Sequence, residues 1–309
     1  MEPGRFLRIA APAKLNLGLR VTGRRADGYH ELASLFVPLD LCDELELELE
    51  PAPRSSLALE VLAESGAPDA QVPRGEANLA WRAAEGFLRA AARTARLQIR
   101  LTKRIPSAAG LGGGSSDAGA VLRGLSQLLP GSLPREALAA LALRLGADVP
   151  FFLDPRPAEV RGAGEQIRPR AGLPSLALVL VKPAPGLSTA EVFRAYAAER
   201  AAAICPSPGG AGAPALTAKD PPSTLRAPAL AGLKSLDLVN DLEPIALRLC
   251  PPLARLREAL RETGALAVAM TGSGPTLYGV FRSAAEAREG LARLDARGAW
   301  ARVAATVDS

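Results

Sequence analysis

Pro106-Ser107-Ala108-Ala109-Gly110-Leu111-Gly112-Gly113-Gly114-Ser115-Ser116-Asp117-Ala118 is the stretch from which this chain is best read. Four glycines run into a Ser-Ser-Asp helix start, and an apolar helical run over 118–129 follows. A loop without Cβ atoms lets backbone N–H groups close on an anion, and a helix N-terminus adds unpaired donors and partial positive charge. That combination suits phosphate. A plain glycine-rich connection into a capped helix has the same composition, so the segment alone leaves both readings open. A Walker A loop is excluded because no Gly-Lys-Ser/Thr ends it. A dinucleotide fingerprint is excluded because Ser115 stands where its last glycine belongs.

Working outward, Leu15, Leu17, Leu19 and Val21 alternate with Asn16, Gly18 and Arg20. That period of two predicts a half-buried strand over 15–21, with Lys14 and Asn16 on one polar face. Residues 22–30 read as a turn. Leu45, Leu47 and Leu49 alternate with four glutamates, a strand whose acidic side faces solvent, and 57–61 repeats the pattern. Asn78 caps an amphipathic helix to about residue 92, and a strand follows at 97–101. Beyond the glycine-rich loop a helix runs from Pro134, in its first turn, to Leu145, with Gly146 at its C-cap. Asp148 therefore sits just past a helix end. The second half offers strands at 176–181, 266–270, 276–282 and 299–306, with helices at 189–199, 241–250, 252–263 and 284–294. Residues 204–232, rich in Pro, Gly and Ala without an apolar period, read as a surface insertion.

The chain has 309 residues, 48% of them hydrophobic, enough for a sizeable core in one large domain or two. Net charge is +5, but only Lys14, Lys103, Lys182, Lys219 and Lys234 are lysines; the remaining basic residues are dispersed arginines. With aromatics at 4%, no stacking platform or basic stripe for nucleic acid is visible. Cys42, Cys205 and Cys250 are odd in number and form no CxxC pair, which points to reduced thiols in a cytoplasm rather than disulfides or zinc. His30 is the single histidine, so a His-rich metal site is excluded. No secretory or membrane-spanning run interrupts the sequence.

Three further segments accompany the loop: Ala-Pro-Ala-Lys-Leu-Asn-Leu-Gly-Leu at 11–19, Gly-Ala-Asp-Val-Pro-Phe at 146–151 and Met-Thr-Gly-Ser-Gly-Pro-Thr at 270–276. In this order and spacing the chain resembles the galactokinase, homoserine, mevalonate and phosphomevalonate kinase (GHMP) superfamily, over roughly 7–203 and 233–305. Ala26-Asp27-Gly28-Tyr29-His30-Glu31-Leu32 and the triple glycine are similar to the branch acting on a cytidine diphosphate-linked methylerythritol. The resemblance implies an α+β, two-domain GHMP kinase fold. An N-terminal ATP-binding α/β domain over 1–158 would carry the phosphate loop. A C-terminal ferredoxin-like domain over 159–309 would carry the insertion, with the active site in the cleft between the two. It also implies ATP-dependent phosphorylation of the substrate's 2-hydroxyl, a step toward isoprenoid precursors by the non-mevalonate route.

Phosphoryl transfer needs a phosphate cradle, neutralisation of developing charge and an acceptor for the hydroxyl proton. The cradle is expected at 106–116, with Ser115 and Ser116 offering hydroxyls to phosphate oxygens or to the magnesium accompanying ATP, whose ligands stay unassigned. Asp148, taken alone, reads first as a helix-end aspartate bonding local backbone; the resemblance reverses this and makes it the proton acceptor, with Lys14 as its cationic partner. Asn16 is expected at the substrate. The resemblance places Tyr29, His30 and Phe193 around the cytosine and Thr189 near the ribose. A mevalonate or homoserine kinase has no base for Tyr29 and His30 to meet, and a non-catalytic ATP sensor would need neither Lys14 nor Asp148. The expected partner is a small molecule, with no nucleic acid or membrane, and the protein a monomer or homodimer.

Overall fold

The computed structural model describes residues 4–25, 30–64, 72–184, 186–204 and 238–308. Strand β1 (Arg5–Arg24) pairs antiparallel along its whole length with β2 (His30–Pro51). The other edge of β2 is divided. Residues 44–51 pair with β4 (Ala95–Lys103), and 32–36 pair with β5 (Ala158–Gly162). Strand β3 (Ser56–Ala63) lies parallel to β4, and β6 (Gln166–Pro169) closes the far edge, making a six-stranded sheet. A parallel neighbour requires a crossover, and α1 (Leu79–Ala90) supplies it, started by Asn78, whose side chain accepts from the Ala80 N–H. Helices α1, α2 (Gly113–Leu128) and α3 (Arg135–Leu145) bury Phe87, Val121, Leu125 and Leu141 against Leu45, Leu47, Leu97 and Ile99.

The second sheet holds β7 (Ala177–Lys182), β8 (Ala267–Met270), β9 (Leu277–Phe281) and β10 (Trp300–Ala305) in the order β10-β7-β9-β8. Helices α4 (Thr189–Ile204), α5 (Glu243–Leu249) and α6 (Pro251–Glu262) precede β8, and α7 (Ala284–Arg293) precedes β10. This strand order with helical crossovers is the ferredoxin-like split βαβ arrangement. Leu178, Leu180, Tyr278 and Val280 of this sheet pack with Leu15, Leu17, Val37 and Leu39 of the first, so one core joins them.

Several expectations shift. Residues 22–24 and 30 lie in strands rather than a turn, and Tyr29 falls outside the described residues. The run 11–19 is buried on both faces, not half-buried, because one side joins the core between sheets and the other lines the site below. The same double burial at 33–39 erases the alternation that would have announced the first half of β2. Strands β5 and β6 went unread. They belong to the first sheet, so the expected division at 158/159 falls inside that sheet, and the chain changes sheets across 170–176. Most of the 204–232 insertion lies outside the described residues.

Candidate active site

The cradle forms because the carbonyls of its loop turn inward. Gly110 O accepts from Thr271 Oγ1 at 3.4 Å, Leu111 O from the Lys14 N–H at 2.9 Å and Gly112 O from the Ser116 N–H at 2.8 Å. A trans peptide sets each carbonyl opposite the following N–H, so the N–H groups of Leu111, Gly112 and Gly113 point away from these partners. Gly112 is left-handed (φ 72°) and caps α2, whose first N–H groups are unpaired in any helix. Together these outward donors have the form of a backbone nest, a concavity whose geometry suits an anion. The helix thus begins at Gly113, earlier than the Ser-Ser-Asp start the sequence implies, and both serines fall in its first turn. Ser116 does not act as expected: it is 0% exposed and its hydroxyl donates to Pro12 O at 2.7 Å, leaving Ser115 as the accessible hydroxyl. Pro106, Ala109 and Leu111 are buried, while Ser107, Gly110, Gly112, Gly113 and Gly114 are at least partly open and Ala108 is exposed. The loop offers backbone rather than side chains.

Lys14 lies against this loop: a Cβ on Gly112 would fall 3.0 Å from its Cγ. Register shifts at Pro12/Lys14 and Asn16/Leu19 bracket the segment and turn its polar side chains together. Lys14 is 4% exposed, and its Nζ donates to Asn16 Oδ1 at 2.6 Å, lies 4.8 Å from the Phe36 ring centre and stands 3.7 Å from Asp148 Oδ2. Burial pulls the Lys14 pKa below the usual lysine value, and Asp148 restores only part of the loss. Asp148 precedes the 3-10 turn Val149–Leu153, yet its side chain makes no capping bond there, so the local backbone does not occupy it. Phe151 and Phe152 anchor that turn beside Phe36, and the β5–β6 connection backs it, with Gly164 closing on the Ala147 carbonyl. The result is a half-buried carboxylate facing a buried ammonium at the mouth of an anion nest.

His30 opens β2 and stacks on Phe193 of α4, with ring centres 5.1 Å apart and planes at 24°. Burial, and then the charge of Arg24, lower the His30 pKa, so at neutral pH the ring is uncharged, with one nitrogen donating and one accepting. Thr189 and Phe193 are four residues apart and share a face of α4. The Thr189 hydroxyl meets Ser273 Oγ at 2.8 Å, tying the helix to the Gly272-Ser273-Gly274 turn. Asn16 joins the two halves of the site: its N–H donates to Thr271 Oγ1 at 3.0 Å and its carbonyl accepts from the Tyr278 hydroxyl at 3.1 Å.

The sequence reading passed over several groups. Asn240 donates through Nδ2 to Met270 O at 2.7 Å and Gly272 O at 2.8 Å, while Glu243 accepts from the Met270 N–H at 3.0 Å. The Asn-x-x-Glu spacing ahead of a helix was the available signal. Beneath the cradle, Lys103 donates to both Asp43 and Asp117, and no partner reaches Asp117 Oδ1. Burial and then the nearby Asp43 charge push the Asp117 pKa up to about 8, against the pull of Lys103.

A raised acid binds its proton more tightly in the native than in the unfolded chain. Its stabilising contribution is therefore complete below about pH 4 and is lost as pH rises toward 8. Asp117→Asn should remove this component, up to about 1.4 kcal/mol per pH unit, from the slope of unfolding free energy against pH. Urea unfolding across that range checks it, and an unchanged slope would contradict the assignment.

A family model described as GHMP kinases N terminal domain matches residues 78–154, and one described as GHMP kinases C terminal matches 225–299. The second match opens inside the segment read as an insertion. The chain is 38% identical, over 97% of its length and 99% of the relative, to the 4-diphosphocytidyl-2-C-methyl-D-erythritol kinase of Citrifermentans bemidjiense. It is 44% identical, over 96% of its length and 90% of the relative, to the protein of that name from Anaeromyxobacter dehalogenans. A crystal structure of a 4-(cytidine 5'-diphospho)-2C-methyl-D-erythritol kinase matches with a TM-score of 0.76 and 39% identity, covering 98% of this chain and 100% of that one. Mevalonate kinase from L. major shares the fold, with a TM-score of 0.71 at 16% identity over 99% and 97% of the two chains.

Proposed function

The chain belongs to the 4-diphosphocytidyl-2-C-methyl-D-erythritol kinase family, a branch of the GHMP kinases, and we propose that Lys14 and Asp148 are the pair at which it transfers phosphate. It is an ATP-dependent kinase acting on 4-diphosphocytidyl-2-C-methyl-D-erythritol in the methylerythritol phosphate route to isoprenoids. The observation that carries the reading is the 3.7 Å approach of Asp148 Oδ2 to Lys14 Nζ beside the nest. Asp148 accepts the proton of the substrate's 2-hydroxyl as its oxygen attacks the γ-phosphorus, and the bond from that phosphorus to the β,γ-bridging oxygen breaks so that ADP leaves. Lys14 offsets negative charge on that oxygen, and the outward N–H groups of 111–115 hold the ATP phosphates. Among the described residues no three His, Cys, Asp or Glu side chains converge as a metal centre. Magnesium accompanying ATP would neutralise phosphate charge, and the accessible Ser115 hydroxyl is the cradle side chain that would help to hold it. Asn16 meets the substrate near the reacting hydroxyl.

For the base, we assign Tyr29, His30 and Phe193, with Thr189 at the ribose. The neutral His30 ring can pair with a cytosine edge, and the His30–Phe193 stack marks an aromatic surface for its face. Phe193→Ala should raise the KM for the cytidine substrate about five- to 150-fold, the worth of base–aromatic stacking, with ATP affinity unchanged. Unaltered KM would remove Phe193 from the site. Coupled measurement of ATP consumption with the diphosphocytidyl substrate, mevalonate and homoserine tests the whole reading, since turnover should require the first. We take the protein to act as a monomer or homodimer on a small molecule. Among the described residues no helix is long and apolar enough to cross a membrane. ATP as co-substrate favours the cytoplasm.

A further inference from the structure

We infer that Ser34 is a positioning residue that orients the Asn16 amide and thereby decides what the Lys14 ammonium meets. Ser34 lies on β2, 1% exposed, with its Oγ 2.6 Å from Gly18 O and 2.9 Å from Asn16 Nδ2. A backbone carbonyl only accepts, so the one hydroxyl proton goes to Gly18. The Ser34 oxygen is left to accept, and the amide group facing it must be the NH2. Asn16 Oδ1 is then turned the other way, where Lys14 Nζ stands at 2.6 Å and the Thr271 hydroxyl at 3.2 Å.

The two ends of a carboxamide have nearly the same shape, so packing does not distinguish them and only hydrogen bonding does. Thr271 does not settle the question, because its proton has a second acceptor in Gly110 O and its oxygen can receive an amide N–H. Ser34 admits one orientation, the one the donor-only Lys14 ammonium also requires, and Ser34 supplies the acceptor for the NH2. The Asn16 main chain is pinned on both sides by Thr271 and Tyr278, which leaves the side chain as the part free to turn. Without the Ser34 hydroxyl, the buried NH2 has no acceptor. It is relieved only by turning or withdrawing the amide, and either movement weakens the acceptor at Lys14. Asp148 is the charged group facing Lys14; the Phe36 ring, Asn16 Oδ1 and the uncharged backbone of Gly112 and Gly272 also lie against it.

The inference rests on Lys14 acting at the reacting oxygen, and its test separates the two ideas. The chain has five lysines, so isotope-labelled lysine gives few signals, and the one lost in Lys14→Arg identifies Lys14. Ser34→Ala should lower the pKa read from the Lys14 signal and reduce kcat about ten- to a hundredfold, the worth of a hydrogen bond to a charged group. Ser34→Thr, which keeps the hydroxyl, should restore both. An unchanged Lys14 titration in folded Ser34→Ala overturns the inference. A shifted titration with unchanged turnover upholds it and instead removes Lys14 from the chemistry. Should Ser34→Ala fail to fold, the near-isosteric Ser34→Cys replaces it. A thiol is a weak donor and acceptor, so the same downward shift is expected, and its absence is again fatal.

Discussion

Asp148→Asn lowers turnover by ~10²–10⁴ while both ligands still bind, because the variant keeps the shape of the side chain and loses its basicity. The fold should tolerate the change: Asp148 caps no helix, its side chain is 34% exposed, and its ionic contact is Lys14. Lys14 needs a different substitution. Its stem fills the space between Gly112 and the Phe36 ring, so Lys14→Ala would open a cavity beside the phosphate loop as well as remove charge. Lys14→Met keeps the bulk and isolates the electrostatic loss, with a fall in turnover of the same order expected. The double variant should be much less impaired than the product of the single losses, because groups acting on one proton transfer are not additive. Steady-state kinetics with equilibrium binding of ATP and substrate separate these outcomes. Multiplicative losses would show two independent roles, and near-normal turnover in Asp148→Asn would end the general-base assignment.

Gly110→Ala should weaken ATP binding at least tenfold and lower thermal stability. Two effects add at this position. The backbone is left-handed (φ 73°), a conformation that costs a residue with a Cβ about 1–2 kcal/mol. The added Cβ would also lie 2.6 Å from the Thr271 carbonyl oxygen and 3.1 Å from that of Gly274, and neither backbone atom can move without displacing the Gly-Ser-Gly turn. The loop must then part from Thr271 and the Gly-Ser-Gly turn. Gly131→Ala is the control: it has the same φ of 73° and nothing within 4 Å of its Cβ, so it carries the conformational cost alone. Calorimetric ATP titration and thermal unfolding of both variants measure the difference. Equal effects at the two positions would mean that the contact between loop and turn does not shape the nucleotide site.

The elements most plainly legible from sequence were those with one wet face, although the continuous apolar runs of β7 and β9 were also read as strands. The strands around 45–49 and 57–61 announce themselves by leucines alternating with charges, and the glutamates of β2 do face solvent, where Glu46 pairs with Arg8 and Arg100. Helices α1 and α6 carry clear apolar stripes, with Asn78 and Cys250 at their N-caps. The early half of β2 carries no such contrast, since water touches neither face; β1 was read over 15–21 because Asn16, Gly18 and Arg20 interrupt its leucines, although both of its faces are buried over 11–19.

Residue types and order by themselves determined the glycine-rich loop with the helix behind it, the alternation of helices and strands, and the family, because glycine runs, caps and apolar periods act within a few residues of chain. Which groups meet was decided only by tertiary structure. Lys14 and Asp148 are 134 positions apart and Asn16 and Thr271 are 255 apart; the first pair faces across 3.7 Å and the second hydrogen-bonds. The same long-range packing removed Ser116 from the cradle by burying its hydroxyl on Pro12. It also set Ser34 behind Asn16 and brought Lys103 between two aspartates under the loop. Hydrogen-bond partners and desolvation depend on what folds against a residue, and no local pattern of the chain encodes them.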